Sequence, residues 1–147
     1  MELRLVEKKD LPQLVELCRL HAAYEKGEFD PRNKLEALSD HLFGPSPSFQ
    51  CLVAVRENSL LGYAAFTKQF STWDADFYLY LDCLYLKESA RGQGLGTLFM
   101  NKVIEFAKKE NCDMVRWQTP ADNEKAIKFY QKMGGVSKAK ERFFMNI

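Results

Sequence analysis

Arg91-Gly92-Gln93-Gly94-Leu95-Gly96 separates a long, nearly uninterrupted apolar run, Asp76 to Lys87, from a stretch with helical periodicity, Leu95 to Lys109. That order constrains the chain more than any other feature. An apolar run with so little alternation reads as a strand buried on both faces, in the middle of a sheet. Leu95, Leu98, Phe99, Val103, Phe106 and Ala107 then recur at helical spacing. Alternating glycines bring backbone N–H groups together with no Cβ to obstruct an approaching anion, and a helix N-terminus adds partial positive charge. Arg91 supplies a fixed charge. The plain alternative is a flexible strand-to-helix turn, but this pattern in this place suits a pyrophosphate. The loop lacks the Gly-Lys-Ser/Thr ending of a P-loop. It is not GxGxxG, and a hairpin precedes it instead of the opening βα unit of a Rossmann domain, so nucleoside triphosphates and NAD are disfavoured.

The rest of the chain falls into short elements. Glu2 to Val6 alternates like a strand, and Asp10 is placed to cap a helix with Pro12 in its first turn, ending near Gly27. A second helix is expected from Asp30-Pro31 to Phe43, before Gly44-Pro45-Ser46-Pro47 breaks the chain. Gln50 to Arg56 and Leu60 to Phe70 form a hairpin around Glu57-Asn58-Ser59. After the central loop and helix come a strand, Cys112 to Gln118, and a helix from Asp122 or Asn123 to Met133, ended by Gly134-Gly135. Val136 to Ala139 and Arg142 to Ile147 read as two terminal strands. The expectation is one mixed α/β domain spanning 1–147, with about seven strands and about four helices.

Bulk properties remove several function classes. Lys plus Arg total 21 against 20 Asp plus Glu, so the basic excess of a nucleic-acid binder is missing. No apolar run is long enough to span a bilayer, and Met1-Glu2-Leu3-Arg4 does not open a signal peptide. Cys18, Cys51, Cys83 and Cys112 are scattered within apolar segments, without a CxxC pair. Neither a metal nor disulfides are expected, and the chain reads as cytoplasmic. Asp82 is the one charged residue inside the long strand, which makes it either a hydrogen-bonded core carboxylate or a general base facing a cationic amine. Tyr130 shares a helix face with Asn123, where a core role is as natural as a catalytic one. His21 and His41 form no constellation and read as surface or edge-of-core residues.

Two motifs together resemble the GNAT superfamily of N-acetyltransferases. Arg91 to Gly96 resembles its acyl-CoA pyrophosphate loop, and Asn123-Glu124-Lys125-Ala126-Ile127-Lys128-Phe129-Tyr130-Gln131-Lys132-Met133-Gly134 resembles its Asn-x-x-Ala-x-x-Phe-Tyr-x-x-x-Gly helix. Within the superfamily the chain looks most like the diamine (spermidine/spermine) acetyltransferase group, through Ala22-Ala23-Tyr24-Glu25, Phe49 to Val55, Phe70-Ser71-Thr72-Trp73 and Tyr80-Leu81-Asp82. The group's Glu-Asp pair reads Asp82-Cys83 here, so one carboxylate is kept and the second is lost.

The resemblance implies acetyl-CoA as acyl donor, with middle strands splayed at a bulge near Leu84. Backbone groups of Leu84 and Leu86, flanking Tyr85, would pair with pantetheine, and Arg91, Gly92, Gln93, Gly94, Leu95, Gly96 and Thr97 would hold the pyrophosphate. Asn123, Ala126 and Tyr130 would complete the cofactor side. Asp82 would be the general base and Tyr130 the general acid, with Glu25, Trp73, Asp74 and Asp82 on the side of a small-molecule amine. A homodimer is also implied. The acceptor stays open among polyamines, aminoglycosides, amino acids, peptides and proteins. A silent acetyl-CoA-binding module would keep the loop but lose the base or the acid, and this chain has both.

Overall fold

In the computed structural model, which describes residues 1–147, the Asp76–Lys87 run is the spine of the molecule. The elements are β1 (Glu2–Leu5), α1 (Leu11–Tyr24), α2 (Lys34–Phe43), β2 (Gln50–Arg56), β3 (Ser59–Ser71), β4 (Asp76–Leu86), α3 (Leu95–Lys109), β5 (Val115–Arg116) and α4 (Glu124–Lys132). The strands form one sheet in chain order, antiparallel except for the parallel β4–β5 pair that α3 connects. The mixed α/β fold is as the sequence leads one to expect.

Strand alternation feeds two cores, one on each face of the sheet. Cys51, Val53, Tyr63 and Ala65 turn to one side and pack with Leu11, Leu14 and Leu17 of α1. Leu52, Ala54, Ala64 and Phe66 turn to the other and pack with Leu95, Phe99, Met100 and Val103 of α3. Phe99 and Leu17 are fully buried. Emptying such a position, as in Phe99→Ala, costs about 3–5 kcal/mol.

The strand count is corrected from about seven to five. The predicted strand Cys112–Gln118 shrinks to Val115–Arg116, because β4 and β5 pair only at Leu79↔Val115 and Tyr80↔Arg116 and then part. The predicted strands Val136–Ala139 and Arg142–Ile147 do not form, and residues 136–147 make no backbone hydrogen bond. A strand needs a partner for its ladder, and two paired residues of β5 offer almost none. The second helix begins at Lys34, four residues after Asp30 (34 − 30), since Asp30 spends its carboxylate on Arg32 at 2.7 Å.

The splayed strands expected near Leu84 are present, but the bulge lies two positions earlier. Ala65 pairs with Cys83 while Phe66 pairs with Leu81, so Asp82 is the extra residue. The insertion reverses the alternation. Leu79 and Leu81 face α3, as do Leu84 and Leu86, whereas Tyr80, Asp82 and Cys83 all face the α1–α2 side. Two consecutive side chains, Asp82 and Cys83, thereby stand next to each other, with Sγ 3.7 Å from Oδ2.

Candidate active site

The glycine loop is an open cradle of donors. Gly92 and Gly94 have φ of 73° and 78°, in the left-handed region, and a Cβ on either would meet nothing within 4 Å. None of the backbone N–H groups of Gly92, Gln93, Gly94, Leu95, Gly96 and Thr97 is donated within the chain. They gather at the N-terminus of α3, a 15-residue helix starting after Gly94. Unpaired N–H groups beside a helix dipole suit an anion. Gln93 braces the loop through Nε2 to the Ser89 carbonyl at 2.9 Å.

Two loop residues differ from the sequence expectation. Arg91 is turned inward, with Nε donating to the Leu86 carbonyl at 3.0 Å and its guanidinium 4.5 Å from the Tyr24 ring centre and 5.5 Å from that of Tyr85. It ties α1 to β4, and the Leu86 carbonyl already has a donor. Gly96 serves packing, because a Cβ there would lie 3.1 Å from the Phe129 ring.

Beyond Tyr80 no strand covers the outer edge of β4, so the backbone of Leu84, Tyr85 and Leu86 borders a cleft. α4 packs against the start of α3, where Phe129 meets Gly96. Asn123 caps α4, its Oδ1 accepting from the Ala126 N–H at 3.2 Å, and its Nδ2 reaches the Tyr24 hydroxyl at 3.4 Å. The end of α1 is thus joined to the start of α4. Tyr130 packs against Trp117 and Phe129, each 5.2 Å away between ring centres. Burial, reinforced by Glu25 and Tyr24, pushes its phenol up to about 12, so it keeps its proton through the neutral range.

Asp82 is exposed rather than buried, which corrects the picture of a carboxylate inside the strand. The bulge carries it to the surface where β4 leaves β5. There it lines the mouth of a cavity of about 430 Å³ on the α1–α2 side of the sheet. Cys18, Cys51 and Cys83, expected to stay apart, converge on this cavity as free thiols. A more open recess of about 580 Å³, beside Leu20, Tyr85 and Ser89, flanks the loop instead and contains neither Asp82 nor Tyr130.

Trp73 and Asp74 stand apart from this arrangement. They occupy the β3–β4 turn, and Asp76 at the start of β4 is roughly 20 Å along an extended strand from Asp82. Trp73 is 95% exposed, and Asp74 is bonded to Arg116.

His21, expected at the surface or the edge of the core and outside any constellation, stands in a network instead. Its Nδ1 lies 2.9 Å from the Tyr63 hydroxyl and its Nε2 2.7 Å from Glu25 Oε2, with the ring stacked on Tyr85 at 5.2 Å. Burial pulls its pKa below the usual histidine value, against the opposing pull of Glu25 and Asp82. A carboxylate only accepts, so the neutral ring carries its proton on Nε2 and accepts from Tyr63 at Nδ1. The i,i+4 spacing of His21 and Glu25 was the one available signal, and Tyr63 comes from a distant strand.

Residues 14–135 match the Acetyltransferase (GNAT) family. The chain belongs to that family. It is an N-acetyltransferase, and GNAT enzymes use acetyl-CoA as co-substrate. The thialysine N-epsilon-acetyltransferase of Sus scrofa is 31% identical over 140 residues, covering 90% of this chain and 82% of that protein. The spermidine/spermine N(1)-acetyltransferase-like protein 1 of Homo sapiens is 24% identical, over 95% of this chain and 21% of that longer protein. Among solved structures, an integron cassette protein from the mobile metagenome of V. cholerae superposes with a TM-score of 0.80 at 27% identity, covering 99% of this chain and 93% of the other. An aminoglycoside acetyltransferase from an uncultured soil metagenomic sample shares the GNAT fold, with a TM-score of 0.79 at 18% identity over 99% and 95% of the two chains. No helix is long and apolar enough to cross a membrane.

Proposed function

We propose that this GNAT enzyme transfers the acetyl group of acetyl-CoA directly onto a primary amine of a small molecule. The observation that carries the reading is the place of Asp82, at the junction between the open edge of β4 and the mouth of the apolar cavity. A donor lying in the cleft and an acceptor entering from the cavity would meet at this residue. Relatives named for thialysine and for spermidine/spermine support a small amine as acceptor.

Acetyl-CoA supplies a thioester, whose carbonyl is open to attack by an uncharged nitrogen. The unpaired N–H groups of residues 92–97 fit its pyrophosphate, and a backbone N–H of the open edge near Leu84 would polarise the carbonyl. A simple primary amine has a pKa near that of lysine, about 10.4, and is almost wholly protonated at neutral pH. Asp82 holds this ammonium and takes up one proton, directly or through a water, as nitrogen bonds to carbon; as the C–S bond breaks, nitrogen gives its second proton to water and the sulfur leaves as thiolate. Tyr130, across the cleft, donates its hydroxyl hydrogen bond to the departing sulfur. With its pKa at about 12, full proton transfer to a thiolate of pKa about 8.5 is uphill, so its service is chiefly that of a strong donor. Asn123 and Ala126 hold α4 in place, and Glu25 with His21 forms the wall beside Tyr130.

The same proposal includes a cytoplasmic setting, in which Cys18, Cys51 and Cys83 stay reduced, and a homodimer. Phe143, Phe144, Met145 and Ile147 are solvent-exposed in one chain, and a second copy is the proposed cover. The catalytic roles are tested by Asp82→Asn and Tyr130→Phe. Each is expected to lower kcat by about 10²–10⁴-fold with little change in acetyl-CoA affinity. Full kcat in either folded variant removes that residue from the mechanism.

A further inference from the structure

We infer that the cavity beside Asp82 selects amines carrying a single positive charge and an apolar body, in preference to diamines and polyamines. The inference rests on the amine-acetylation reading and specifies its acceptor.

The cavity holds about 430 Å³, nearly three times the ~150 Å³ that accommodates a benzene ring. It has room for a ring with a short chain, or for an alkyl chain of several carbons. Its walls are mainly apolar, with Leu14, Leu38, Phe49 and Phe66 among them. Asp82 is the only charged residue lining it. The carboxylate sits at the mouth, where β4 leaves β5, so the amine that it holds is also the one presented to the cleft.

A molecule bound this way lays its body along the apolar walls, where no second carboxylate meets a second cation. Cys83 stands against Asp82 as a thiol, and burial together with Asp82 pushes its pKa up to about 12, so it stays uncharged. Cys18 and Cys51 are also free thiols, both raised by burial. The Tyr63 hydroxyl is engaged with His21. Glu25 does not line the cavity, and Lys34 on α2 lies within electrostatic reach of Cys18, adding repulsion at that end. Thr67, Gln69 and Ser48 offer neutral hydrogen bonds only. An ammonium set against these apolar walls gives up part of its hydration and gains no second counter-ion. An apolar terminus gains from leaving water.

The test uses matched acceptors with the full chain: n-hexylamine against 1,6-diaminohexane, and 2-phenylethylamine against spermidine, by acetyl-CoA-dependent thiol release. The monoamine of each pair is expected to show a kcat/KM at least tenfold higher, although the diamine offers two reactive ends. Cys83→Asp, which adds a second carboxylate beside Asp82, is expected to move the ratio at least tenfold toward the diamine with the acetyl-CoA KM unchanged. Cys83→Ser, neutral and of similar size, should leave the ratio alone. Diamines equal to or better than monoamines in the unaltered chain overturn the inference while leaving amine acetylation intact. That comparison decides the matter even if Cys83→Asp fails to fold. Thiol release with none of the amines overturns the acetylation reading as well.

Discussion

His21 acquires its character from three neighbours that are far from it in sequence or on the next turn of α1. Tyr63 and Glu25 hold its two nitrogens, and Tyr85 covers one face of the ring. The folded pKa lies below the unfolded value of about 6.5, so between the two the unfolded chain binds the extra proton. Stability from this group is complete above pH 6.5 and declines as the pH falls toward the folded pKa. Urea unfolding across this range should show a loss toward acid pH that His21→Gln flattens. An identical pH slope in the variant would exclude His21 as its source. The pKa of Asp10 is also lowered, but because its charged form is favoured. Burial raises its pKa, but the guanidinium of Arg4 at 2.7 Å and the Glu7 N–H at 2.8 Å outweigh this and lower it. Its contribution is therefore present above the ordinary carboxylate range and is lost only as the pH falls through the depressed value. Asp10→Ala removes the shortest carboxylate contact of half-buried Arg4, leaving Glu7 at 3.6 Å and Glu2 at 3.7 Å, and should cost about 2 kcal/mol, measured by denaturant midpoint. Asp82 was legible in the sequence as an odd charge in an apolar strand. Its exposure was not, because exposure follows from a bulge set by pairing with β3.

At the level of elements, the two motifs were readable because each is written in consecutive residues. The loop 91–96 opens α3, and Asn123 caps α4, where the sequence places them. Their division of labour was hidden, since it depends on how α3 meets α4. Gly94 and Gly96 are alike in sequence but are predicted to respond differently. Gly94→Ala forces a φ of 78° on a residue with a Cβ, at about 1–2 kcal/mol, and distorts the donors facing the anion. Its acetyl-CoA affinity, read by calorimetry, should fall markedly. Gly96→Ala presses on Phe129 and should cost on the order of 1 kcal/mol in stability with affinity nearly kept. A large affinity loss for Gly96→Ala together with none for Gly94→Ala would reverse these roles. The expected terminal strands do not form, because β-forming residues report only a willingness to pair. Pairing also needs an edge, and β5 is two residues long.

The whole molecule is a sheet with helices on both faces, opened on one side where β4 and β5 part. On the proposed function the opening would be the donor's passage along β4, with Asp82 between that passage and the cavity. Residues 136–147 are solvent-exposed in a single chain. Light scattering is expected to give twice the single-chain mass, and removal of residues 140–147 is expected to return it to one. A full-length chain that runs as a monomer at high concentration would refute the dimer. The measurement that bears most directly on the central claim is the rate of thiol release from acetyl-CoA by the purified chain, with and without a primary amine, alongside calorimetric titration of acetyl-CoA. The account predicts saturable acetyl-CoA binding and release that requires the amine and is nearly abolished by Asp82→Asn. Binding without amine-dependent release, or no binding at all, would contradict it.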